Sequence, residues 1–240
     1  MTITTPSAAA TSRAPMSSSR KISLAAGVLY LLTFVSIPTL FLYDGIKTDP
    51  AFIAGVGPDV PVILGVVLEV IVALACIGTG VALYPMVRKQ NEGLALGFVG
   101  ARILEAAAIL AGVVALMSIV TLRQAGVGDD GLITGQALFA QYTWTTLLGQ
   151  GMIPAFNAMV LGALMFRSRL IPRVLPIFGF IGAPFLLVGV VGTLFGWWGP
   201  VSVFAGIGAL ALSVWEFGMG LWLVVKGFNS EAVARLEARR

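Results

Sequence analysis

The sequence feature that most constrains the fold is a long apolar stretch with two charges inside it, residues 97–122 (GFVGARILEAAAILAGVVALMSIVTL). It is long enough to cross a bilayer as a helix, which requires about 20 apolar residues. Arg102 and Glu105 stand three residues apart, so on a helix they lie on one face. A charge near the bilayer centre costs at least about 2.5–3.5 kcal/mol, so such groups face the interior of a bundle and find partners there. The stretch therefore predicts a multi-span membrane protein with a polar core.

The composition narrows the class of protein further. Hydrophobic residues make up 58% of the 240 residues and charged residues 11%, whereas soluble domains average about 25% charged residues. The chain has no histidine and a single cysteine, Cys76, which excludes histidine-based triads, histidine-containing metal sites and an intramolecular disulfide. We expect the lipid bilayer as a partner, and we expect no cofactor, no metal ion and no nucleic acid.

The apolar segments predict six spans, at about residues 22–43, 62–87, 94–122, 145–166, 174–197 and 201–225. Residues 1–19 are rich in Ser, Thr, Ala and Pro and predict a disordered cytoplasmic tail, and residues 229–240 predict a polar cytoplasmic tail that is helical. Residues 20–228 then form the transmembrane domain. A signal peptide is the alternative interpretation of the N-terminus, but the first apolar run exceeds the ~7–15 residues of a signal sequence.

Two details of the spans can be predicted from local sequence. Residues 136–166 are too long for one upright span, so we expect their first part to lie at the membrane interface, where Tyr142 and Trp144 are at home. Pro85 is expected to bend or end the second span, because proline removes a helical hydrogen bond.

The basic residues predict the orientation of the bundle. The positive charges are unevenly distributed: of the 15 lysines and arginines, 12 fall on one side of this topology, Lys47 and Arg123 fall on the other, and Arg102 lies within the membrane. Because cytoplasmic loops carry an excess of Lys and Arg, both termini are predicted to be cytoplasmic. The sequence therefore predicts an all-α, multi-pass protein of the cell inner (plasma) membrane, a bundle of six transmembrane helices with the N-terminus and the C-terminus inside.

A set of polar residues is predicted to lie deep in this bundle: Glu69, Arg102, Glu105, Gln150, Asn157 and Glu216. Arg102, Asn157 and Glu216 each lie ten residues from a flanking cytoplasmic charge, which places them roughly 15 Å into the membrane. Each polar residue follows a stripe of small or polar residues at helical spacing, such as Gly97, Ala101 and Glu105, and such stripes let helices approach closely. We expect the polar faces of spans 2, 3, 4 and 6 to meet, with Arg102 paired to Glu216, Glu105 or both.

The charge count of this set leaves two interpretations open. An Arg–Glu pair between helices can serve only to fix their packing. Three buried carboxylates against one arginine also leave a surplus of acid, so we expect one glutamate to be protonated or to meet water or a cation. Such a carboxyl group can relay protons, bind a cationic ligand or act as a general acid. Glu69 has no evident basic partner in the sequence and is the first candidate.

Four stretches of the chain resemble a bacterial family of multi-pass membrane proteins described as domain of unknown function 4386 (DUF4386). They are Leu68-Glu69, ALYPMVRKQNEGLALGFVGARILEA at 82–106, RSRLIPR at 167–173 and WEFGMGLWLVVKGF at 215–228. The resemblance covers nearly everything after the N-terminal tail and implies a multi-span membrane protein. It brings no catalytic residues to this chain.

Three kinds of function fit these observations. The first is proton- or cation-coupled transport of a small solute, with the glutamates as the binding groups. The second is an intramembrane enzyme that uses a glutamate as general acid on a lipid-soluble substrate, and it is the weaker because the sequence offers no metal cluster, phosphate loop or activated nucleophile. The third is a structural or partner-binding membrane protein. A cavity that reaches water from both sides through Glu69 and Glu105 would favour transport. A closed apolar chamber that opens to lipid with one glutamate at its end would favour an enzyme, and a dry, filled core would favour the structural role.

Overall fold

The computed structural model of the protein describes residues 16–55 and 57–238. Within this part of the chain the regular structure is helical throughout. The α-helices are α1 (Ser18–Leu32), α2 (Thr39–Leu42), α3 (Asp44–Thr48), α4 (Val60–Val87), α5 (Glu92–Gln124), α6 (Leu132–Thr146), α7 (Ile153–Ser168), α8 (Val174–Leu194), α9 (Val203–Val225) and α10 (Ser230–Glu237). Short 3₁₀ turns lie at Thr33–Ser36 and Gly128–Gly131, and a π-helical turn joins α6 to α7 at Leu147–Met152.

Six helical stretches in the described residues are long and apolar enough to cross a membrane, which confirms the predicted all-α fold of six spans. Numbered in chain order as spans 1 to 6, they are Ser18–Leu42, Val60–Val87, Glu92–Gln124, Gly128–Ser168, Val174–Leu194 and Val203–Val225. Large apolar side chains such as Leu74, Leu104 and Val114 stand more than half exposed on the outside of the bundle. An apolar exterior of this kind implies contact with the lipid bilayer.

The spans form a ring in chain order. Each span packs against the next, and span 1 packs against span 6 to complete the circuit. The last contact is tight at one level, where a Cβ atom at Gly27 would stand 2.7 Å from the carbonyl oxygen of Gly220. Glycine is required here because the two backbones approach too closely for a side chain.

The ring has two distinct ends. At the end that holds the described termini, Arg20 donates to the Leu223 carbonyl at 3.0 Å and the Asn229 amide donates to the Leu170 carbonyl at 2.9 Å. At the opposite end, the Arg123 guanidinium lies 2.9 Å from the Asp59 carboxylate. We call these the termini end and the loop end. Both described termini lie at one end, as an even number of spans requires.

Helix α10 is docked on the termini end. Ala232, Val233 and Leu236 are buried in the same apolar cluster as the ends of the spans. The N-terminal helix begins earlier than predicted, because Ser17 caps it by accepting from the Arg20 amide at 3.3 Å. Ser18 and Ser19 therefore belong to α1 and not to a disordered tail, while the rest of that prediction, residues 1–15, lies outside the described residues.

Span 1 loses its regular α-helical geometry before Pro38. The proline ring cannot donate a hydrogen bond and collides with the carbonyl four residues earlier, so the α-helix gives way to a 3₁₀ turn at Thr33–Ser36. Hydroxyl groups donate to two of the backbone carbonyls in this region, that of Thr33 to the Tyr30 carbonyl and that of Thr39 to the Ser36 carbonyl, both at 2.7 Å. The span predicted at about 22–43 is thus a helical stretch, Ser18–Leu42, with a 3₁₀ turn inside it. By contrast α4 continues through Pro85 and ends two residues later.

Span 4 is one long helical stretch with a π turn in its middle. Pro154 cannot donate to the Gln150 carbonyl, and the backbone widens to a π turn at Leu147–Met152. Tyr142 is 7% exposed and points into the bundle, whereas Trp144 is 44% exposed on the outside of the bundle. The placement of this part of span 4 at the membrane interface stays a prediction.

The buried apolar residues form two clusters, one towards each end of the ring. On α5, Phe98 belongs to the termini-end cluster and Ala106 to the loop-end cluster. Arg102 and Glu105 lie between them. The polar core therefore occupies a layer near the middle of the bundle, with an apolar cluster on each side.

Candidate functional site

Arg102 is the centre of the polar layer. Its side chain is 1% exposed, and its guanidinium makes one ion pair along its own helix and one across the ring. Nη1 lies 3.0 Å from Glu105 Oε2, and Nη2 lies 2.9 Å from Glu216 Oε1. A guanidinium can hold two carboxylates at once because its donors form a rigid planar fork. Spans 3 and 6 are thereby joined.

Span 4 joins the same network through Asn157. Its Nδ2 donates to Glu105 Oε2 at 2.8 Å, so one carboxylate oxygen accepts from both an amide and a guanidinium. Two buried polar atoms of the network, Arg102 Nε and Asn157 Oδ1, have no hydrogen-bond partner among the described residues. Such atoms carry a desolvation cost, so a polar network of this kind gains from an added partner such as water or a solute.

Aromatic rings surround the guanidinium on its remaining sides. The Arg102 Cζ atom lies 4.8 Å from the centre of the Tyr30 ring and 5.8 Å from that of Phe98. These cation–π contacts stabilise the charge of the buried Arg102 side chain. Tyr30 was not predicted as part of the site, because an isolated tyrosine in an apolar run gives no signal of what it will contact.

The network carries a surplus of negative charge when all its groups are ionised, because two carboxylates face one guanidinium. The two carboxylates differ in environment. The Glu105 side chain is 7% exposed and also accepts from Asn157, whereas that of Glu216 is 19% exposed. Glu216 is therefore the carboxylate better placed to meet a water molecule, a proton or a cation.

A cavity of about 190 Å³ lies beside this network. It is lined by Arg102, Glu105 and Glu216 and by at least one residue from each of the six spans, among them Ser36, Cys76, Ile109, Gln150, Leu186 and Ser213. The polar core is thus not filled by side chains alone. Cys76, expected only to pack, lines this cavity, and its Sγ lies 3.8 Å from Arg102 Nη1.

Glu69 lies apart from this network, towards the loop end. Its two carboxylate oxygens accept from two tyrosine hydroxyls, that of Tyr43 at 3.2 Å and that of Tyr142 at 3.3 Å. The two tyrosine rings meet edge to face with their centres 5.7 Å apart. Gln150 lies close to Glu69 and also lines the central cavity, so its position is between the two clusters.

The predicted polar residues therefore divide into two groups. The structure brings Arg102, Glu105, Asn157 and Glu216 together, and it places Glu69 with Tyr43 and Tyr142, which sequence reasoning missed. The predicted small-residue stripe on span 3 is wrong at Gly97, which is exposed and faces away from the other helices. Within residues 16–55 and 57–238 no group of three or more His, Cys, Asp or Glu side chains is placed to hold a metal ion.

Comparison with known proteins places the chain in a family. The sequence model of the family described as Domain of unknown function (DUF4386) matches residues 25–227, which include every residue of both polar clusters and all six spans apart from the first turns of span 1, residues 18–24. No curated protein matches the chain, and no solved structure matches it. Since the match covers most of the sequence, the chain belongs to the DUF4386 family of multi-pass membrane proteins.

Proposed function

We propose that the protein transports a small solute across the membrane, coupled to a proton or a small cation that exchanges at the Glu105–Glu216 pair. The observation that carries this proposal is the central cavity, which is lined by all six spans and bordered by Arg102, Glu105 and Glu216. A binding site that every helix of a bundle contributes to can change shape when those helices move. Sites of this kind near the middle of the membrane are typical of transporters.

The charges of the network support a cationic partner. Arg102 compensates one carboxylate at all relevant pH values, because a guanidinium keeps its proton in proteins. The second carboxylate is left to bind a proton or a cation, and attraction between opposite charges is strong in the low-dielectric interior of a bundle. Glu216 is the proposed exchange group because it is the more exposed of the two.

The size of the cavity limits the solute. Pockets for drug-sized ligands measure about 300–1,000 Å³, and this cavity measures about 190 Å³. It has room for several water molecules or for one solute of a few non-hydrogen atoms. The proposed cargo is therefore a small cation or a small molecule that carries an amine.

The proposed orientation follows from charge. We place the protein in the plasma membrane with its termini end on the cytoplasmic side. That end carries six of the basic residues, Arg88, Lys89, Arg167, Arg169, Arg173 and Lys226. Solute would then reach the cavity from the far side of the membrane or from within it, and would leave towards the termini end.

The test is a current measurement on purified protein reconstituted in liposomes adsorbed to a solid-supported membrane. Concentration jumps of ethylammonium, guanidinium and sodium ions, and a jump in pH, should give transient currents for at least one of these ions. The Glu216→Gln variant should lose the response, and Lys89→Ala, at the surface of the termini end, should retain it. Protein-free liposomes supply the baseline, and currents equal to that baseline for all four jumps would refute coupled transport.

A structural brace is the second candidate function, favoured by the double pairing of Arg102 with Glu105 and Glu216. In that case the wild-type protein would show no transport, and Glu216→Gln would lower only its stability. The currents measured with the wild-type protein and with the folded Glu216→Gln variant together distinguish the two candidates. Transport predicts that Glu216→Gln abolishes currents while the protein remains folded, because a glutamine amide oxygen still accepts from Arg102.

A further inference from the structure

The stripe of span 6 that faces span 1 changes from buried to exposed along its length. Gly220, nearest the termini end, is buried against span 1, and Glu216, about one turn further on, is partly exposed. Ser213 and Ala209, one and two turns beyond Glu216, are exposed. Because all four residues lie on one face of α9, their increasing exposure means that spans 1 and 6 separate towards the loop end.

The separation begins where span 1 loses its α-helical geometry. Thr33, Phe34 and Ser36 belong to the 3₁₀ turn before Pro38, and all three line the central cavity. Ala209 and Ser213 line the same cavity from the other side of the gap. The gap between these five residues, here called the side opening, therefore connects the central cavity to the outer surface of the bundle in the apolar zone.

An aromatic pair lies beside the side opening. The rings of Phe34 on span 1 and Phe217 on span 6 meet edge to face with centres 5.3 Å apart. Phe34 lines the cavity, and Phe217 is 48% exposed on the surface of the bundle. The two rings bridge the spans near Glu216, so a molecule entering through the opening passes an aromatic surface before it meets the carboxylate.

The direct route from the loop end is closed by the Glu69 cluster. A second cavity of about 440 Å³ at that end is lined by Ile119 and Phe139 and shares no lining residue with the central cavity. Tyr142 lies between Phe139 and Gln150 along span 4, and Gln150 lines the central cavity. Tyr43, Tyr142 and Glu69 are all at most 7% exposed and bonded to one another, so they separate the two cavities.

We propose that a small lipophilic amine enters the central cavity from the bilayer, through the side opening, and binds Glu216 in its ammonium form. This inference rests on the proposed function and specifies its substrate class. An amine partitions into the membrane through its apolar part, while its charged nitrogen matches the surplus carboxylate. The ring of Phe34, which lines the cavity, supplies a surface that attracts an ammonium group. Three of the five residues at the opening, Thr33, Ser36 and Ser213, carry hydroxyl groups.

Cys76 provides a direct test, since it is the only cysteine of the chain and lines the cavity. Protein in lipid nanodiscs is treated with N-phenylmaleimide, which partitions into lipid, or with a permanently charged trimethylammonium methanethiosulfonate, and modification is followed by intact mass. The proposal predicts that N-phenylmaleimide modifies Cys76 of the wild-type protein at least tenfold faster than Cys76 of the Ser213→Phe variant. Ala209→Phe, also at the opening, should slow the reaction in the same way.

Two comparisons sharpen the result. Ser118→Phe places the same bulk on a partly exposed position of α5 away from the opening and should leave the rate unchanged. Hexylamine should slow modification of the wild-type protein, and Glu216→Gln should remove that protection. The proposal is overturned if Cys76 does not react, if the charged reagent reacts as fast as N-phenylmaleimide, or if Ser213→Phe has no effect. It is also overturned if the opening proves to be covered by a second copy, seen as a dimer that Ser213→Phe dissociates.

The labelling experiment and the current measurement can fail independently. Modification of Cys76 requires no transport, so a closed side opening would leave coupled transport from another direction standing. Conversely, absent currents with rapid and amine-sensitive labelling would indicate a membrane-facing binding site without transport.

Discussion

Arg102 and Glu216 are 114 residues apart in the chain, yet Arg102 Nη2 lies 2.9 Å from Glu216 Oε1. The contact crosses the ring from span 3 to span 6 and closes the polar layer between the two apolar clusters. It also borders the central cavity. The same two side chains are therefore central to both the stability of the bundle and its proposed chemistry.

Replacing Arg102 by leucine should destabilise the protein strongly. Removing one partner of a buried ion pair leaves unpaired buried charge and typically costs about 3–5 kcal/mol. Reversible unfolding in mixed micelles measures the loss. The variant Arg102→Leu/Glu105→Gln/Glu216→Gln should recover a large part of it, because no unpaired charge then remains.

Arg88→Ala is the matched control for that experiment. Arg88 is exposed and lies 5.5 Å from the centre of the Tyr84 ring, so its loss should change stability by less than about 1 kcal/mol. If Arg102→Leu lowered the free energy of unfolding no more than this control does, the stability of the polar layer would not depend on its ion pairs.

Two glycines should respond in opposite ways to substitution by alanine. A Cβ atom at Gly65 would overlap the Tyr43 ring, so Gly65→Ala should displace the tyrosine and cost about 1–3 kcal/mol. Gly97 has open space around the position of its Cβ, so Gly97→Ala should stabilise α5 by about 0.5–1 kcal/mol. The unfolding temperatures of the two variants, measured side by side, test the packing of Tyr43 in the Glu69 cluster. Equal shifts of the two unfolding temperatures would contradict that packing.

Helix α10 should detach when its buried face is made polar. Leu236 is 5% exposed in the termini-end cluster, and Leu236→Asp would bury an unpaired carboxylate there. The helix should then become sensitive to limited proteolysis, which mass spectrometry would locate after residue 226. Glu231→Gln, at a side chain that is 83% exposed, should leave the cleavage pattern unchanged.

Reporter fusions should place the termini end in the cytoplasm. A green fluorescent protein fused after Arg240 should fluoresce, and alkaline phosphatase fused after Gln124, at the loop end, should be active outside the cytoplasm. Phosphatase fused after Arg88, at the termini end, should be inactive. The reverse pattern would show that the distribution of lysine and arginine does not set the orientation of this protein.

Much of the polar layer could be predicted from local sequence. Arg102 and Glu105 lie on one face of a helix because they are three residues apart, and equal distances from the flanking charges put Asn157 and Glu216 at the same depth. The partners of Glu69 could not be predicted in this way. Tyr43 and Tyr142 follow no pattern that links them to Glu69, and their hydroxyls reach it because the Tyr43 ring packs against Gly65 of α4 and α6 packs against α5.

The sequence by itself determined the number of spans and the helical class, because the bilayer acts on every segment according to its own length and polarity. The tertiary structure decided which buried groups meet, where the cavity lies and where spans 1 and 6 separate. These depend on the rotation of each helix about its axis and on the breaks at Pro38 and Pro154. Rotation is set by packing among neighbouring helices, and that information is shared among distant parts of the chain.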